Sequence, residues 1–455
     1  MMTLPESLLK AFNQGKTYLS WSQPLHSPLT PWDYLHHSQN LKLDTRFYFQ
    51  TPTQDHSLVA FDTLLSFTGK ETAPHALATQ FSKLKGSLYY HNSTAKSGGP
   101  TLCGGLPFSD IHTDEPLWGE LADGYLFLPK LLIHTSETGT SVTFNFKANC
   151  LDDLHTAWAD AQNLLLELTT IKYKTDSLPD TLKQDAVKPE EWLELVDKTI
   201  NHLKSDNPLD KIVLARHLSL SAESAYPTHL ILENLAKQQP NTYLFYLEKG
   251  GTTFLGATPE RLLAADTDTF QTVAVAGSTP RGRTEEEDCK LGAALLNDPK
   301  NRLEHQLVVD RLYKELRPLT TEFLTNETVS LLKNRDIQHL YLPIKATRKS
   351  DLSFIEAIYQ LHPTPALGGE PKELAMDWIS NNEIMGRGLY GAPIGWLDLT
   401  QDIGEFAVAI RSGVFQNNQG LLYAGCGIIP ASVAEAEFKE TAVKFQPMLR
   451  GVLTK

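Results

Sequence analysis

Strand-like segments in the second half of the chain constrain the fold more than any other feature of the sequence. From Lys211 onward, β-branched and aromatic runs cover residues 211–220, 242–247, 252–255, 271–275, 406–415 and 420–425. These segments follow one another in groups, whereas a parallel sheet requires a regular alternation of strand and helix. The pattern therefore predicts a large α+β fold with antiparallel sheets.

Helical periodicity and end signals predict helices around these strands. They cover residues 151–168, 189–204, 285–296, 302–317, 352–360, 371–383 and 432–449. The part of the chain before Cys150 is predicted as short strands and turns. The polar, proline-containing stretch 171–188 is predicted as a connecting segment.

Composition and charge disfavour several classes of protein. The 455 residues are 41% hydrophobic and 21% charged, with a formal net charge of −13. Because the chain has no Lys/Arg-rich run, we expect no nucleic-acid partner, and an anionic substrate would need a local cluster of cations. The 4 cysteines form no C-x-x-C pair, which disfavours a disulfide framework or a zinc site and favours the cytoplasm. No signal peptide and no long apolar stretch are found, so we expect no membrane segment.

The predicted last helix carries charged residues on one face. Ser432 and Glu435 have the spacing of a capping box and predict its start. An apolar stripe is predicted at Phe438, Ala442, Phe445 and Leu449. Another face is predicted to hold Glu437, Glu440, Thr441 and Lys444. The simpler interpretation of that face is a solvated surface with an ion pair between Glu440 and Lys444.

A second carboxylate lies within an apolar pattern. In the helix predicted at 302–317, the apolar arc is Leu303, Leu307, Val308, Leu312 and Leu316. Glu304 falls inside this arc, where an isolated charge would be costly to bury. A metal ion or a buried cation would satisfy it, and the alternative is a local pair with Arg311 or a pair with a residue elsewhere.

Two cations lie in strands. Lys211 begins a strand with two apolar faces, and a desolvated lysine can act as a general base; alternatively it reaches water at the strand end. Arg411 has small neighbours on its own strand face, which leaves room for a planar anion. Gly425, at the end of the next strand, allows close approach of a ligand to the backbone, although a β-bulge or a plain strand end explains it equally well. Glu260 and Ser278 lie in turns that carry no specific signal alone.

Taken in order, these segments resemble the chorismate-utilising enzymes. The matching stretches are 211–216, 254–262, 274–282, 302–310, 338–340, 361–371, 406–412 and 423–444. The resemblance is strong from Asp210 to Leu449 and weak in the first third, where it rests on 104–108 and 118–129. It implies a single large domain of two packed antiparallel sheets flanked by helices. It also implies an N-terminal variable part, residues 1–188, that adds strands to the fold of a catalytic part, residues 189–455.

The resemblance implies roles for the residues singled out above. It implies that Mg²⁺ is bound by Glu304 and Glu440, with Glu437 close by, and that the ion holds one carboxylate of chorismate. The other carboxylate would lie at Arg411, Lys444 and the backbone of Gly425. The remaining pocket residues implied by the family are Ser278, His339, Ala366 and Leu367.

Two positions separate the branches of the family. Lys211 is similar to the lysine that activates water, where the ammonia-using members have glutamine. Ala276 stands where aminodeoxychorismate synthases have a nucleophilic lysine. The resemblance therefore implies a menaquinone-type isochorismate synthase with Lys211 as base and Glu260 as acid, without a glutaminase subunit. The sequence makes no prediction about oligomeric state.

Several alternatives stay open at this point. A salicylate synthase shares the lysine and goes on to eliminate pyruvate, and a siderophore-pathway isochorismate synthase shares the whole reaction. An ammonia-using synthase is disfavoured by Lys211. A non-catalytic protein that binds a metal or a carboxylate would need Lys211 and Glu260 only for structure. A glycoside hydrolase also uses paired carboxylates, but Arg411 and Lys444 suit a dianion better than a sugar.

Overall fold

The protein is described by a computed structural model that covers residues 3–93, 98–110, 112–170, 176–325, 328–350 and 352–453. The helices in these ranges are α1 Glu6–Asn13, α2 Pro31–Ser38, α3 Pro74–Ser87, α4 Leu151–Thr170, α5 Pro189–Lys204, α6 Thr228–Gln238, α7 Glu285–Asn297, α8 Pro299–Leu316, α9 Phe354–Leu361, α10 Lys372–Asn382 and α11 Ala434–Val452. The strands of the N-terminal part are β1 Tyr18–Pro24, β2 Thr45–Gln50, β3 Ser57–Phe67, β4 Leu88–Asn92, β5 Thr101–Gly105, β6 Tyr125–Ser136, β7 Gly139–Lys147 and β8 Lys183–Ala186. Those that follow are β9 Lys211–Ser221, β10 Tyr243–Lys249, β11 Thr252–Thr258, β12 Arg261–Ala265, β13 Thr269–Pro280, β14 Thr320–Phe323, β15 Ser330–Lys333, β16 Ile337–Arg348, β17 Gly369–Glu370, β18 Pro393–Asp398, β19 Ile403–Val408, β20 Ser412–Gln416 and β21 Gln419–Ile428.

The strands form one continuous hydrogen-bonded sheet, and β6 is the strand at which its two halves join. The first half has the order β9–β21–β20–β11–β10–β2–β3–β6. The second half has the order β5–β18–β19–β12–β13–β16 and joins the first because β5 also pairs with β6. All these pairs are antiparallel, which confirms the predicted fold class.

The two halves pack against each other as two layers. One core cluster contains buried side chains of both, among them Phe245 and Tyr423 from the first half and Ile394 and Ala407 from the second. Burial of this much apolar surface is the main force that holds the layers together. Both faces of β9 are apolar because both are buried. Ala215 lies in this cluster, and Ile212 and Leu214 on the opposite face lie in a second core cluster.

The chain passes between the two halves at two neighbouring points. Glu260 lies between β11 and β12, and Arg411 lies between β19 and β20. The backbone N–H of Ala257 donates to the carbonyl of Arg411 at 3.2 Å, and that of Val408 donates to the carbonyl of Glu260 at 3.0 Å. The strand predicted over 406–415 is therefore two strands, because a φ of 52° at Arg411 turns the chain from one half to the other.

Helix α5 follows its sequence signals closely. It covers Pro189–Lys204, as predicted, with proline in its first turn and Lys204 in its last turn. Its buried face is Trp192, Leu195, Val196, Thr199, Ile200 and Leu203. This face packs on β9 and α11, so α5 covers the outer surface of the strand that begins at Lys211.

Helix α8 departs from the predicted helical wheel. Its buried residues are His305, Val308, Val309, Leu312 and Leu316. Leu303 and Leu307 were predicted in the core, but they are 64% and 57% exposed. The helix packs on β13 through the sector around Val308, so the leucines one turn away face solvent. Glu304 consequently lies at the border of the buried face and not within it.

Helix α11 differs from prediction at its start and in its apolar stripe. It begins at Ala434 after Val433, which makes no side-chain cap, so the predicted capping box is wrong. The Ser432 hydroxyl instead accepts a hydrogen bond from the N–H of Ile429 at 3.2 Å. Thr441 is fully buried, whereas Ala442 is exposed. The buried face of the helix is thus shifted by about 50° from the predicted stripe, which is half of the roughly 100° between successive residues.

The N-terminal part shares the sheets with the rest of the chain. Strand β2 pairs with β10, and β5 pairs with β18. Residues 171–175 of the predicted connecting segment lie outside the described residues, and β8, later in that segment, pairs with β9. The division at residue 188 stays a prediction.

Two expectations about the whole chain concern cysteines and membrane segments. All 4 cysteines have free thiols, which agrees with the prediction that they form no disulfide framework. No helix in the described part of the chain is long and apolar enough to cross a bilayer.

Candidate active site

Lys211, the first residue of β9, lies at the border between buried and accessible surface. Its side chain is 17% exposed, and its Nζ donates to Oε1 of Glu304 at 3.3 Å. The sequence left the partner of Glu304 open, and the structure shows that it is Lys211. Arg311, the local alternative, pairs instead with Glu315 and Glu370. The ion pair between Lys211 and Glu304 joins β9 to α8.

Glu260 lies at the first of the two crossings and is only 8% exposed. Burial raises the pKa of its carboxyl group to about 7, although the positive charges of Arg411 and Lys211 act in the opposite direction. A carboxyl group with this pKa is partly protonated at neutral pH. It can therefore supply a proton, as a general acid must.

Arg411 lies at the second crossing, near the carboxyl groups of Glu260 and Glu440 and the hydroxyl of Tyr390. Burial lowers the pKa of its guanidinium, whereas Tyr390, Glu260 and Glu440 favour the charged form. A guanidinium keeps its charge in such a setting and can bind a carboxylate through two parallel hydrogen bonds. The crossing thus places one strong cation beside the carboxyl group of Glu260.

Tyr390 lies beside the candidate site residues and was not predicted from the sequence. Its ring stacks on Tyr423 with a centroid distance of 5.0 Å. A Cβ atom added at Gly425 would lie 3.0 Å from the Tyr390 hydroxyl oxygen, so that hydroxyl lies directly over the glycine. No spacing rule marks this tyrosine, because it lies in an irregular segment before β18 and meets Gly425 only in the folded chain.

Helix α11 brings Lys444 and two carboxylates to the end of β21. Nζ of Lys444 contacts Oε1 of Glu440 at 2.6 Å, which confirms the predicted ion pair. The same Nζ donates to the carbonyl of Gly425 at 2.8 Å, so the ion pair lies beside the end of β21. Burial raises the pKa of Glu437, which also interacts with Ser432, Glu440 and Lys444.

His339 and Ser278 meet across the pair β13–β16. They are register partners beside an irregularity between Ala276 and Ser278, and Nδ1 of His339 lies 2.8 Å from the Ser278 hydroxyl. Burial, assisted by the charges of Arg411 and Lys444, lowers the pKa of His339 to about 3. The imidazole is therefore neutral and can hydrogen-bond to a hydroxyl without adding charge.

Ala366 and Leu367 lie in the segment that precedes β17. The carbonyl of the next residue, Gly368, accepts a hydrogen bond from the N–H of Val213 on β9 at 2.9 Å. Leu367 is 4% exposed and belongs to the hydrophobic core, and its carbonyl accepts from Nη1 of Arg387 at 2.8 Å. Their contact with a ligand stays a prediction.

Glu304 and Glu440 suit a hard divalent cation. Their side chains are 42% and 53% exposed, and each contacts a single lysine. Mg²⁺ commonly takes one or two protein carboxylates and keeps several water molecules. In the described part of the chain no three His, Cys, Asp or Glu side chains converge into a closed metal cage. An open site completed by water and ligand oxygens fits this donor set.

Electrostatic interactions link these groups around one region, which is called the cleft from here on. Glu260 interacts with both Arg411 and Lys211, and Arg411 interacts with Glu440. His339 interacts with Arg411 and Lys444. A two-layer antiparallel fold that brings a lysine, a protonatable glutamate and an arginine close together has the groups that an enzyme acting on a small anionic molecule needs.

Comparisons with known proteins give the family. Residues 6–453 match the model of the chorismate binding enzyme family, and the chain belongs to that family. It is 31% identical to "Isochorismate synthase MenF" of Bacillus subtilis over 98% of this chain and 97% of that protein. It is 33% identical to "Salicylate biosynthesis isochorismate synthase" of Pseudomonas aeruginosa over 77% and 73% of the two chains. The solved structure of the menaquinone-specific isochorismate synthase MenF from Escherichia coli has the same fold, with a TM-score of 0.80 at 23% identity over 98% and 99% of the chains.

Proposed function

We propose that the protein is an isochorismate synthase that converts chorismate reversibly into isochorismate. The observation that carries the proposal is that the buried carboxyl group of Glu260 lies near enough to Lys211 and Arg411 to interact with both charges. The relative that aligns with nearly the whole chain bears this activity in its name. Because water is added at one ring carbon and a hydroxyl leaves another, the bonds lost and gained are nearly equivalent.

Chorismate carries two carboxylates, and the cleft offers a place for each. One carboxylate binds between Arg411 and Lys444, close to the backbone of Gly425 and the hydroxyl of Tyr390. The other lies beside Glu304 and Glu440, where two negative charges would repel it unless a cation intervened. His339, being neutral, is suited to a hydrogen bond with the ring substituents.

Lys211 and Glu260 carry out the proton transfers in this proposal. Neutral Lys211 takes a proton from water, whose oxygen attacks carbon 2 of the ring. The ring double bonds shift, and the hydroxyl at carbon 4 leaves as water after receiving a proton from Glu260. The raised pKa of Glu260 supplies that proton at neutral pH.

Mg²⁺ is the cofactor that this proposal requires. Glu304 and Glu440 would hold it, and Glu437 would lie near it. When bound, the ion would offset the charge of a substrate carboxylate and orient the ring. The residues of the chain then need only position water and donate or accept protons.

We place the product in menaquinone biosynthesis as part of the same proposal. The relative aligned over 98% of this chain shares the name MenF with a synthase described as menaquinone-specific. The presence of Lys211, in place of the glutamine of ammonia-using relatives, supports a protein that works without a glutaminase subunit. Restoration of menaquinone in cells that lack their own isochorismate synthase would test the pathway.

The experiment is incubation of the purified protein with chorismate and Mg²⁺, followed by identification of products by chromatography and mass spectrometry. We expect isochorismate, approached from either side of the equilibrium, and no turnover when EDTA removes the metal. The Lys211→Ala variant should bind chorismate without converting it. Formation of salicylate with pyruvate would contradict the proposal in favour of a salicylate synthase, and absence of any chorismate consumption would favour a binding protein.

A further inference from the structure

Arg216 is a buried cation that the proposed reaction does not use. It lies on β9, on the face opposite to Lys211, and is 5% exposed. Both acceptors of its Nη1 are neutral: the carbonyl of Phe438 at 2.9 Å and the hydroxyl of Thr441 at 3.0 Å. Its Nε is also buried and has no hydrogen-bond partner among the described residues.

Three aromatic rings enclose the guanidinium of Arg216. Its central carbon lies 3.4 Å from the ring centroid of Phe438, 5.6 Å from that of Phe445 and 6.0 Å from that of Trp192. Trp192 belongs to α5 and is itself fixed by a hydrogen bond from Nε1 to the carbonyl of Ala215 at 2.9 Å. Stacking on aromatic faces and donation from a planar fork are properties that arginine has and lysine lacks.

The contacts of Arg216 alternate along α11 with the functional residues. Arg216 contacts Phe438 and Thr441, whereas Lys444 pairs with Glu440 and donates to the carbonyl of Gly425 at the end of β21. Successive helix residues are separated by about 100°. Rotation of α11 by one residue would therefore turn Phe438 and Thr441 toward the cleft and move Glu437 and Glu440 away from it. A contact that fixes this rotation therefore fixes the position of Glu440 and Lys444.

Burial of the Arg216 charge without a carboxylate partner costs desolvation free energy and is not expected to stabilise the fold. Burial lowers the pKa of Arg216 to about 10, so the group remains charged at neutral pH despite the cost of desolvation. Apolar residues of similar volume are often at least as stabilising in such places. The retained charge thus indicates a demand for specific geometry, which the hydrogen bonds to one turn of α11 supply.

We propose that Arg216 is a positioning residue, whose contacts with Phe438 and Thr441 fix the rotation of α11 so that Glu440 and Lys444 face the cleft. This inference rests on the proposed function, since it assumes that α11 contributes to the chorismate and metal site. It adds a residue that touches neither ligand and acts through the helix that does.

The test measures chorismate binding by calorimetry with Mg²⁺ present, in the Lys211→Ala background where turnover is stopped. Arg216→Lys keeps the charge but loses the planar stack, and we expect it to weaken binding about tenfold or more. Thr441→Val removes only the acceptor hydroxyl, is nearly isosteric and serves if Arg216→Lys folds poorly; here we expect a roughly threefold loss. Arg348→Lys is the matched control, because Arg348 also lies over an aromatic ring, Phe270 at 4.9 Å, but pairs with Asp402 and not with α11.

A double-mutant cycle separates positioning from general destabilisation. If Arg216 acts partly through Glu440, the effect of Arg216→Lys on affinity should become clearly smaller once Glu440→Gln is present. Affinity equal to that of the Arg348→Lys control, or a full effect that persists with Glu440→Gln, would overturn the inference. Failure of the parent Lys211→Ala protein to bind chorismate would instead count against the proposed function, so the two failures are distinguishable.

Discussion

The side chain of Lys211 passes directly over Gly427 on the neighbouring strand. A Cβ atom at position 427 would lie 2.4 Å from Cε of Lys211 and 3.1 Å from its Nζ. Strands β9 and β21 pair so that Gly427 is opposite Val213, next to the start of β9. The glycine therefore provides the space through which the lysine reaches Glu304.

Replacement of this glycine should affect catalysis more than folding. In Gly427→Ala the methyl group displaces the flexible end of Lys211, so we expect kcat to fall about tenfold or more while the melting temperature changes little. Steady-state kinetics and thermal unfolding measure the two effects. Gly86→Ala is the control, because a Cβ at that site meets nothing within 4 Å. Unchanged kcat in Gly427→Ala would show that the position of Lys211 does not matter.

The protonation state of Glu260 should govern the alkaline side of the pH profile. Since its pKa is raised to about 7, the proton-donating form declines as pH rises through that value, and kcat/KM should decline with it. Glu260→Gln cannot donate a proton, so we expect a loss of about 10²- to 10⁴-fold and no corresponding limb. Rates measured across the pH range would refute the assignment if the variant kept the limb of the wild type.

The same carboxyl group should make stability depend on pH. Between the ordinary value of 4.5 and about 7, the folded protein holds a proton on Glu260 that the unfolded chain has released. Stability therefore falls as pH rises through this window, by about 3 kcal/mol for a shift of this size. The free energy of unfolding is measured with denaturant for wild type and Glu260→Gln at several pH values. Other titrating groups contribute to both proteins, so the difference between the two free energies should show the decrease with pH that is due to Glu260. Parallel curves would contradict the raised pKa.

The planar fork of Arg411 should matter beyond its charge. Arg411→Lys keeps a cation at the crossing but loses the pair of parallel hydrogen bonds to a carboxylate, so we expect KM for chorismate to rise roughly 10- to 100-fold. The value of kcat should change less, because Lys211 and Glu260 are retained. Arg348→Lys again serves as a control for loss of a buried arginine. A change in kcat alone would argue that Arg411 does not bind the substrate.

Helices α5 and α8 and the strand expected at 406–415 differ in how well they could be predicted from the sequence. The bounds of α5 follow from a proline, acidic residues and a final lysine that all lie within the helix, so local signals were sufficient. The wheel of α8 failed at Leu303 and Leu307 because periodicity identifies apolar residues but not which sector the sheet will cover. The strand expected at 406–415 is broken at Arg411, where a turn between two layers overrides a continuous β-like pattern.

The amino-acid sequence was sufficient to predict the fold class, the family and the residue types of the candidate site, because strand grouping, helix periodicity and motif order are carried along the chain. Three features became visible only in the folded chain: Glu304 contacts Lys211, Glu260 is buried enough to hold a proton, and Tyr390 lies over Gly425. The contacts of Arg216 with Phe438 and Thr441 of α11 likewise became visible only there. These features arise from groups far apart in sequence, since desolvation and charge depend on which neighbours the packed layers bring within a few ångströms.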